Sequence, residues 1–267
     1  MAHSSDIALA NRLADAARAA IVPLYRGAWA EERKADQSFV TEADRAAEAA
    51  MRAILEAEAP DDGIIGEEYG TVREGAARQW VLDPIDGTTS FIAGRPIFGT
   101  LIALLQEGWP VLGVIDQPVL GERWLGAAGK ATTLNGAAVR SRPCRELGDA
   151  RLATTSPHLF SAGEADHFMA LAQAVAARKI VYGGDCYNYG LLAAGHLDVV
   201  CEAGLKLHDF AALVPVVEGA GGLMCDWAGE PLHAGSDGTV LALGDPARLE
   251  AVLDAMGIAE PSFPVAS

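Results

Sequence analysis

The sequence predicts a layered fold of mixed class, α+β in its first half and α/β in its second, on three observations. Apolar residues recur at helical spacing through two N-terminal stretches; three apolar runs between residues 97 and 125 are separated by glycine-containing turns; and beyond residue 150 short strands alternate with helices. With 267 residues and 51% apolar composition, the chain can fill one large core or two closely packed ones.

Residues 5–28 carry Ile7, Ala10, Leu13, Ala17, Ile21 and Leu24 on one stripe, with Arg12, Asp15 and Arg18 toward the other face. That spacing predicts an amphipathic helix, bent near Pro23. A second helix is expected to begin near Thr41, where Thr41-Glu42-Ala43-Asp44 is a variant capping box ahead of Ala47, Ala50, Met51, Ile54 and Leu55. Pro60-Asp61-Asp62-Gly63 stops it. Ile64-Ile65 and Trp80-Val81-Leu82 each run into acidic residues, as buried strands do when they deliver carboxylates to a strand end. The runs FGTLIALLQ, WPVLGVIDQPV and ERWLGAA then read as a strand meander. After them come a strand at 151–155, a helix at 164–176, a strand at 179–182, a helix at 187–194, a strand at 197–201 and a helix from about Asp209. No repeat or low-complexity linker interrupts the chain. A boundary near residues 140–148 divides a first half, 1–145, holding the large sheet, from a second, 146–267.

The formal net charge of −16, from 20 Lys and Arg against 36 Asp and Glu, repels a phosphate backbone and excludes nucleic acid as a default partner. It suits a protein that gathers divalent cations, and equally one that is acidic for solubility. No apolar run approaches the roughly 20 residues that cross a bilayer, and the N-terminus lacks the pattern of a secretory leader. The expectation is a cytoplasmic globule with no membrane partner. Cys144, Cys186, Cys201 and Cys225 lie far apart with no C-x-x-C spacing, which predicts buried, reduced thiols. Trp29, Trp109, Trp124 and Trp227 read as packing residues, and His3, His158 and His196 lack metal-ligand spacing.

The chemistry is concentrated in WVLDPIDGTTSF, residues 80–91. An apolar strand runs into Asp83, Pro84 fixes the next turn, Asp86 follows three residues later, and Gly87 relaxes the backbone before Thr88 and Thr89. Two carboxylates so placed repel and raise each other's pKa unless a cation lies between them, and a hard divalent metal with oxygen ligands resolves the conflict. On its own, such a segment is equally an ordinary Asp/Pro/Gly turn. Its companions are Gly66-Glu67-Glu68, a second acidic pair after an apolar run, and Asp209 at a helix start, which alone would read as an N-cap.

In this order, Thr41–Asp44, Gly66-Glu67-Glu68, Asp83–Thr89, and His208-Asp209-Phe210 with Glu218–Gly222 resemble the inositol-monophosphatase superfamily over nearly the whole chain. The resemblance implies an αβαβα sandwich of the kind also seen in fructose-1,6-bisphosphatase, and a Mg²⁺-dependent phosphomonoesterase. It implies that Glu67, Asp83 and the Ile85 carbonyl hold one Mg²⁺ and that Asp83, Asp86 and Asp209 hold a second, Asp83 bridging. Two to three Mg²⁺ per site are implied, with Li⁺ as an inhibitor and a homodimer as the common assembly. A metal-activated water would attack phosphorus directly, without a covalent intermediate. Glu67 and Thr88 would orient and deprotonate that water, Thr88 pairing with Asp44, while Asp86 and the N–H groups of Gly87 and Thr88 would contact the phosphate. Asp44 is thus assigned to Thr88, to the Thr41 capping box, or to both. Lys34 stands where the family carries a lysine that approaches phosphate; a solvated lysine is the equal alternative.

The stretch 182–222 looks like the histidinol-phosphate phosphatases of this superfamily, on Gly183-Gly184-Asp185-Cys186-Tyr187 and Glu202-Ala203-Gly204-Leu205-Lys206. His208 departs from the Trp of inositol-type members and from the Tyr usual in histidinol-type ones. The implied activity is hydrolysis of L-histidinol phosphate in histidine biosynthesis. Physical chemistry agrees in part, because that substrate carries an ammonium and an imidazole, and a cation needs carboxylates such as Asp185 and Glu202. Asp185 could instead cap the following helix, and Glu202 could bind polyol hydroxyls. The alternatives are an inositol or broad-specificity sugar monophosphatase and, further off, a non-catalytic regulatory homologue that binds metal.

Overall fold

The computed structural model describes residues 2–27, 31–33 and 39–258. Two N-terminal helices, α1 (Ser4–Ile21) and α2 (Glu42–Glu58), flank a short hairpin of β1 (Glu31–Arg33) and β2 (Phe39–Thr41). After α1 the chain tightens into a single 3₁₀ turn, Val22–Leu24, with Pro23 in its first positions. Then come β3 (Gly63–Gly66), β4 (Gly70–Val72), β5 (Arg78–Asp86), α3 (Thr88–Ile92), and the meander β6 (Gly99–Gln106), β7 (Trp109–Gln117) and β8 (Glu122–Ala127), closed by β9 (Thr133–Leu134) and β10 (Ala137–Ala138). The rest of the chain is β11 (Leu152–Thr154), α4 (Ala162–Ala174), β12 (Ile180–Tyr182), α5 (Tyr187–Ala193), β13 (Val199–Glu202), α6 (Leu207–Phe210), α7 (Leu213–Gly219), β14 (Leu223–Cys225), β15 (Val240–Leu243) and α8 (Leu249–Met256).

Two sheets organise these elements. One has eight strands in the order β10-β9-β8-β7-β6-β5-β3-β4; the other has five, β12-β11-β13-β15-β14. The second is mixed: β11 runs parallel to β12 and β13, whereas β15 is antiparallel to β13 and β14.

Side-chain alternation on the strands explains the layering. Trp80 and Leu82 of β5 face a core with Leu13, Ala17 and Ile21 of α1 and Ala47, Met51 and Leu55 of α2. Val81, between them, faces a second core shared with Leu192, Phe210, Leu213, Val216 and Val217 from α5, α6 and α7. Val200 of β13 joins that second core, while its neighbours Val199 and Cys201 face a third, with Phe168 and Leu171 of α4 and Val252 and Met256 of α8. The order is therefore α1/α2, eight-stranded sheet, α5–α7, five-stranded sheet, α4/α8: an αβαβα sandwich.

The structure departs from the sequence reading in places. The helix expected from Asp209 begins at Leu207 and breaks into α6 and α7. The polar flank of α1 carries ion pairs: Arg18 pairs at 2.7 Å with fully buried Asp116 of β7, Arg123 of β8 reaches the same carboxylate at 2.6 Å and Asp15 at 2.7 Å, and Arg12 pairs with Glu58. All four cysteines are free and buried. Trp124 and Trp227 are packed inside, Trp109 lies half in solvent against His233, and Trp29 lies outside the described residues. No helix among the described residues is long and apolar enough to cross a membrane.

The middle layer sits close because two strand glycines admit it. A Cβ on Gly113 of β7 would collide with the Ala212 carbonyl, and one on Gly126 of β8 with the Pro215 carbonyl. Gly126→Ala is expected to destabilise the protein by about 1–3 kcal/mol, the usual penalty for overpacking. Gly163→Ala, in α4 with open space around it, is expected to be neutral or stabilising by up to about 1 kcal/mol. Urea melts of the two variants check this, and equal stabilities would refute the close-contact argument.

Candidate active site and metal centre

β5 brings the first two carboxylates together through an irregularity. Its register against β6 runs from Asp83↔Leu101 to Asp86↔Gly99, so β5 holds one more residue than its partner between these points. Residues three apart on a regular strand face opposite sides; the bulged residue turns Asp83 and Asp86 to the same side. Pro84 has no N–H to lose there, and its carbonyl accepts from Thr100 Oγ1 at 2.8 Å. Gly87 follows at φ +85°, and a Cβ on it would stand 2.7 Å from Asp185 Oδ2, so only glycine fits this position.

The third carboxylate comes from the middle layer. Asp209, in α6, accepts the Lys206 N–H at 2.6 Å, and His208 Nε2 lies 3.5 Å from its other oxygen. Asp83, Asp86 and Asp209 each offer an oxygen within 4.8 Å of the others. Asp86 Oδ2 accepts the Cys186 N–H at 2.5 Å, and Asp83 Oδ1 is buried without a partner among the described residues. Burial raises the pKa of all three; the charges of Glu67, Asp86 and Asp209 push Asp83 further, and those of Asp185 and Asp209 push Asp86. An orphaned carboxylate oxygen beside two more carboxylates, all held against mutual repulsion, fits a hard divalent cation.

Glu67 follows β3 and lies against Asp83, adding to its raised pKa by charge and by a hydrogen bond; it stands outside the set of three. Ile85 is buried, and its carbonyl accepts from Thr88 Oγ1 at 3.1 Å. That bond corrects the expected pairing of Thr88 with Asp44. The Thr88 hydroxyl is satisfied inside its own turn. Asp44 Oδ2 is taken by the N–H of Thr41 at 2.8 Å and by its hydroxyl, while Asp44 Oδ1 is left without a partner. The capping box is therefore the role of Asp44 seen here, and burial pushes its pKa up to about 6.

Asp185 and Glu202 line one cavity of ≈ 290 Å³ together with Asp86 and Asp209. Asp185 does not cap α5. It sits at φ +45° in the turn before that helix and accepts from Ser90 Oγ of α3 at 2.9 Å. Glu202, at the end of β13, is buried and accepts from the Thr155 N–H at 2.7 Å and from Thr154 Oγ1 at 3.1 Å, and burial pushes its pKa up to about 7. Lys34 lies outside the described residues.

Sequence reasoning missed three supports. Glu48 of α2, fully buried, accepts the N–H groups of Glu68 at 2.7 Å and Tyr69 at 3.1 Å, and so fixes the turn that carries Glu67. A carboxylate beside Ala47 on the apolar stripe was its only signal. Ser90 and the Cys186 N–H, which bind Asp185 and Asp86, had none.

The chain is 50% identical over 225 residues to the bifunctional phosphatase IMPL2, chloroplastic, of Arabidopsis thaliana, a match covering 84% of this chain and 64% of that protein. The chain thus spans just under two thirds of that relative's length. It is 38% identical over 210 residues to a histidinol-phosphatase of Chlorobaculum parvum, covering 78% of this chain and 80% of the relative. An inositol monophosphatase from Zymomonas mobilis superposes on it with a TM-score of 0.89 at 53% identity, over 96% of this chain and 99% of the other. The inositol monophosphatase family model matches residues 3–257, and with the fold and the carboxylate cluster in agreement, the chain belongs to the inositol monophosphatase family.

Proposed function

We propose that the protein is a Mg²⁺-dependent phosphomonoesterase that hydrolyses L-histidinol phosphate to L-histidinol and phosphate, a step of histidine biosynthesis. The observation that carries the choice of ester is the cavity beside the carboxylate cluster. Two further carboxylates line it, and Glu202 receives only neutral donors, from Thr154 and Thr155. A ligand ammonium would give Glu202 the charged donor that Thr154 and Thr155 do not supply. The histidinol-phosphatase relative supports the same reading.

In this reading Asp83, Asp86 and Asp209 hold the cation, with Glu67 beside Asp83 and the Ile85 carbonyl at the same turn. Bound there, Mg²⁺ supplies positive charge for the phosphoryl group and acidifies the attacking water. Glu67, the carboxylate next to the cluster but outside it, accepts the water's proton, and the Thr88 hydroxyl orients the water. The N–H groups of Gly87 and Thr88 contact phosphate oxygens. Asp44 contributes by holding the start of α2, whose Glu48 fixes the turn bearing Glu67. A second reading, an inositol or sugar monophosphatase, is favoured by the 53% identity to the Zymomonas mobilis inositol monophosphatase. There Glu202 would serve polyol hydroxyls.

Metal should govern stability as well as rate. Asp44 and Glu202, at about 6 and about 7, and the cluster Asp83, Asp86 and Asp209 all have folded-state pKa values above those of the unfolded chain. The native state therefore binds more protons, and in chelator its stability should fall as pH rises from about 4 to about 7. Mg²⁺ should restore it by mass action. Asp83→Asn should melt higher than wild type in chelator, gain little from Mg²⁺, and lose about 100-fold or more in kcat, since several kcal/mol of charge stabilisation go with the ligand. Thermal melts with and without Mg²⁺ across that pH range check the first part. A wild-type melting temperature indifferent to Mg²⁺ would refute a metal site.

In a two-substrate assay with Mg²⁺, kcat/KM for histidinol phosphate is expected to exceed that for inositol 1-phosphate by about tenfold or more, the worth of one charge-assisted hydrogen bond. Equal values would return the reading to an inositol-type enzyme. Asp185→Asn is expected to raise KM for histidinol phosphate by about tenfold and to leave that for glycerol 2-phosphate within about twofold. Parallel losses on both esters would assign Asp185 to its bond with Ser90 instead.

A further inference from the structure

Tyr189 is 2% exposed and lines the same cavity as Asp185 and Glu202, yet its hydroxyl has no hydrogen-bond partner among the described residues. A buried phenol normally finds a partner, and an orphaned one is destabilising. The orientation of the ring is not accidental, because α5 is fixed on its other sides. Tyr187 Oη donates to Glu122 at 2.7 Å, and the Tyr187 ring meets Trp124 edge-on. Gly190, one turn on, lies against the same indole, where a Cβ would stand 2.9 Å from the ring. Asn188 Nδ2 donates to the Gly183 carbonyl at 3.1 Å. With these faces anchored to β8 and to the preceding loop, Tyr189 packs in the core between the large sheet and α5–α7 and forms part of the cavity wall.

We propose that the Tyr189 hydroxyl is a substrate contact that reads the leaving group, accepting a hydrogen bond from an N–H of a nitrogen-bearing alcohol held between Asp185 and Glu202. The inference rests on the histidinol-phosphate reading and adds a specificity residue to it. Two features favour the leaving group over the phosphate. Beside Asp86 and Asp209 the cavity is lined by Thr155, Leu205 and Leu213, whereas Gly87 and Thr88, whose N–H groups are proposed for the phosphate, do not line it. The charge acting most strongly on the phenol is that of Glu202, ahead of Asp86 and Asp209, and with burial it keeps the hydroxyl protonated. A neutral hydroxyl amid carboxylates is well placed to share a cation's N–H groups with them, and it cannot ionise to compete for metal.

The test is Tyr189→Phe, which removes one oxygen and keeps the ring, compared with wild type on histidinol phosphate and on glycerol 2-phosphate in saturating Mg²⁺. The expected result is a KM for histidinol phosphate raised about tenfold, kcat within about twofold, and glycerol 2-phosphate kinetics within about twofold. L-Histidinol as product inhibitor should weaken by the same factor as KM rises. The variant should melt at or above the wild-type temperature, because an unpartnered hydroxyl has gone, and that rules out misfolding as the cause. Unchanged kinetics on both esters, or equal losses on both, would overturn the proposal while leaving the histidinol-phosphate reading in place. A wild-type enzyme with no preference for histidinol phosphate would overturn that reading and the proposal with it.

Discussion

Three carboxylates whose oxygens lie within 4.8 Å of one another repel, and a chain with local freedom would turn them apart. What holds Asp83, Asp86 and Asp209 together is mostly backbone. A one-residue bulge in β5 fixes the direction of the first two, the Cys186 N–H fixes the carboxylate of Asp86, and the Lys206 N–H fixes that of Asp209. Glu48 does the same for the turn bearing Glu67 by accepting two N–H groups. Backbone donors suit this task because they stabilise negative charge without adding a positive side chain that would displace a cation. The anchors come from α2, β5, the loop before α5 and the start of α6. The site therefore exists only when α2, the eight-stranded sheet and the layer of α5 and α6 against it are in place.

That dependence gives the glycine seam its importance. α6 and α7 approach β7 and β8 so closely that Gly113 and Gly126 meet the carbonyls of Ala212 and Pro215, three residues apart and so on one face of the helical segment. Asp209 lies one turn before Ala212. A slip of one residue along the seam would move the aspartate by about 1.5 Å and rotate it by more than a quarter turn, out of reach of Asp83 and Asp86. Packing in the middle layer and assembly of the carboxylate cluster are thus the same event. The buried Asp116 between Arg18 and Arg123 does for α1 what the seam does for α7, fixing the outer helix on the other face of the large sheet.

What could be read from the sequence follows from this division. The layered fold was legible because strand alternation and helical stripes are local patterns, and Trp80-Val81-Leu82 already shows one strand serving two cores. Asp83 and Asp86 were legible because a D-P-x-D-G turn is a local arrangement, and Glu67 and Asp209 through their companions in the family pattern. The Thr88–Asp44 pairing is not seen because the Thr88 hydroxyl donates instead to the Ile85 carbonyl, three residues back, a choice of acceptor that the sequence does not reveal. Glu48, Ser90 and Tyr189 were illegible for another reason. Each acts across the fold, on Glu68 and Tyr69, on Asp185, and on the cavity, and beyond the place of Glu48 on the apolar stripe of α2 nothing in its own neighbourhood along the chain reveals that role.

The same contrast separates the reaction from its substrate. Under the proposed function any phosphate monoester would present the same phosphoryl group to the centre formed by Asp83, Asp86 and Asp209, so the most legible residues decide least about which ester is taken. The choice falls to a wall whose charge is adjustable. Glu202, buried and given only neutral donors, has a pKa pushed up to about 7, so near neutrality it is poised between two forms. As a neutral acid it can donate to a hydroxyl, which suits a polyol. As a carboxylate it needs a cation, and an arriving ammonium would draw it into that form by lowering its pKa and releasing its proton. Asp185 nearby disfavours the proton-free state of Glu202 until such a cation arrives. Under the proposed histidinol-phosphate reading, a charged leaving group has the advantage over a hydroxylated one at Glu202, whose own donors are all neutral.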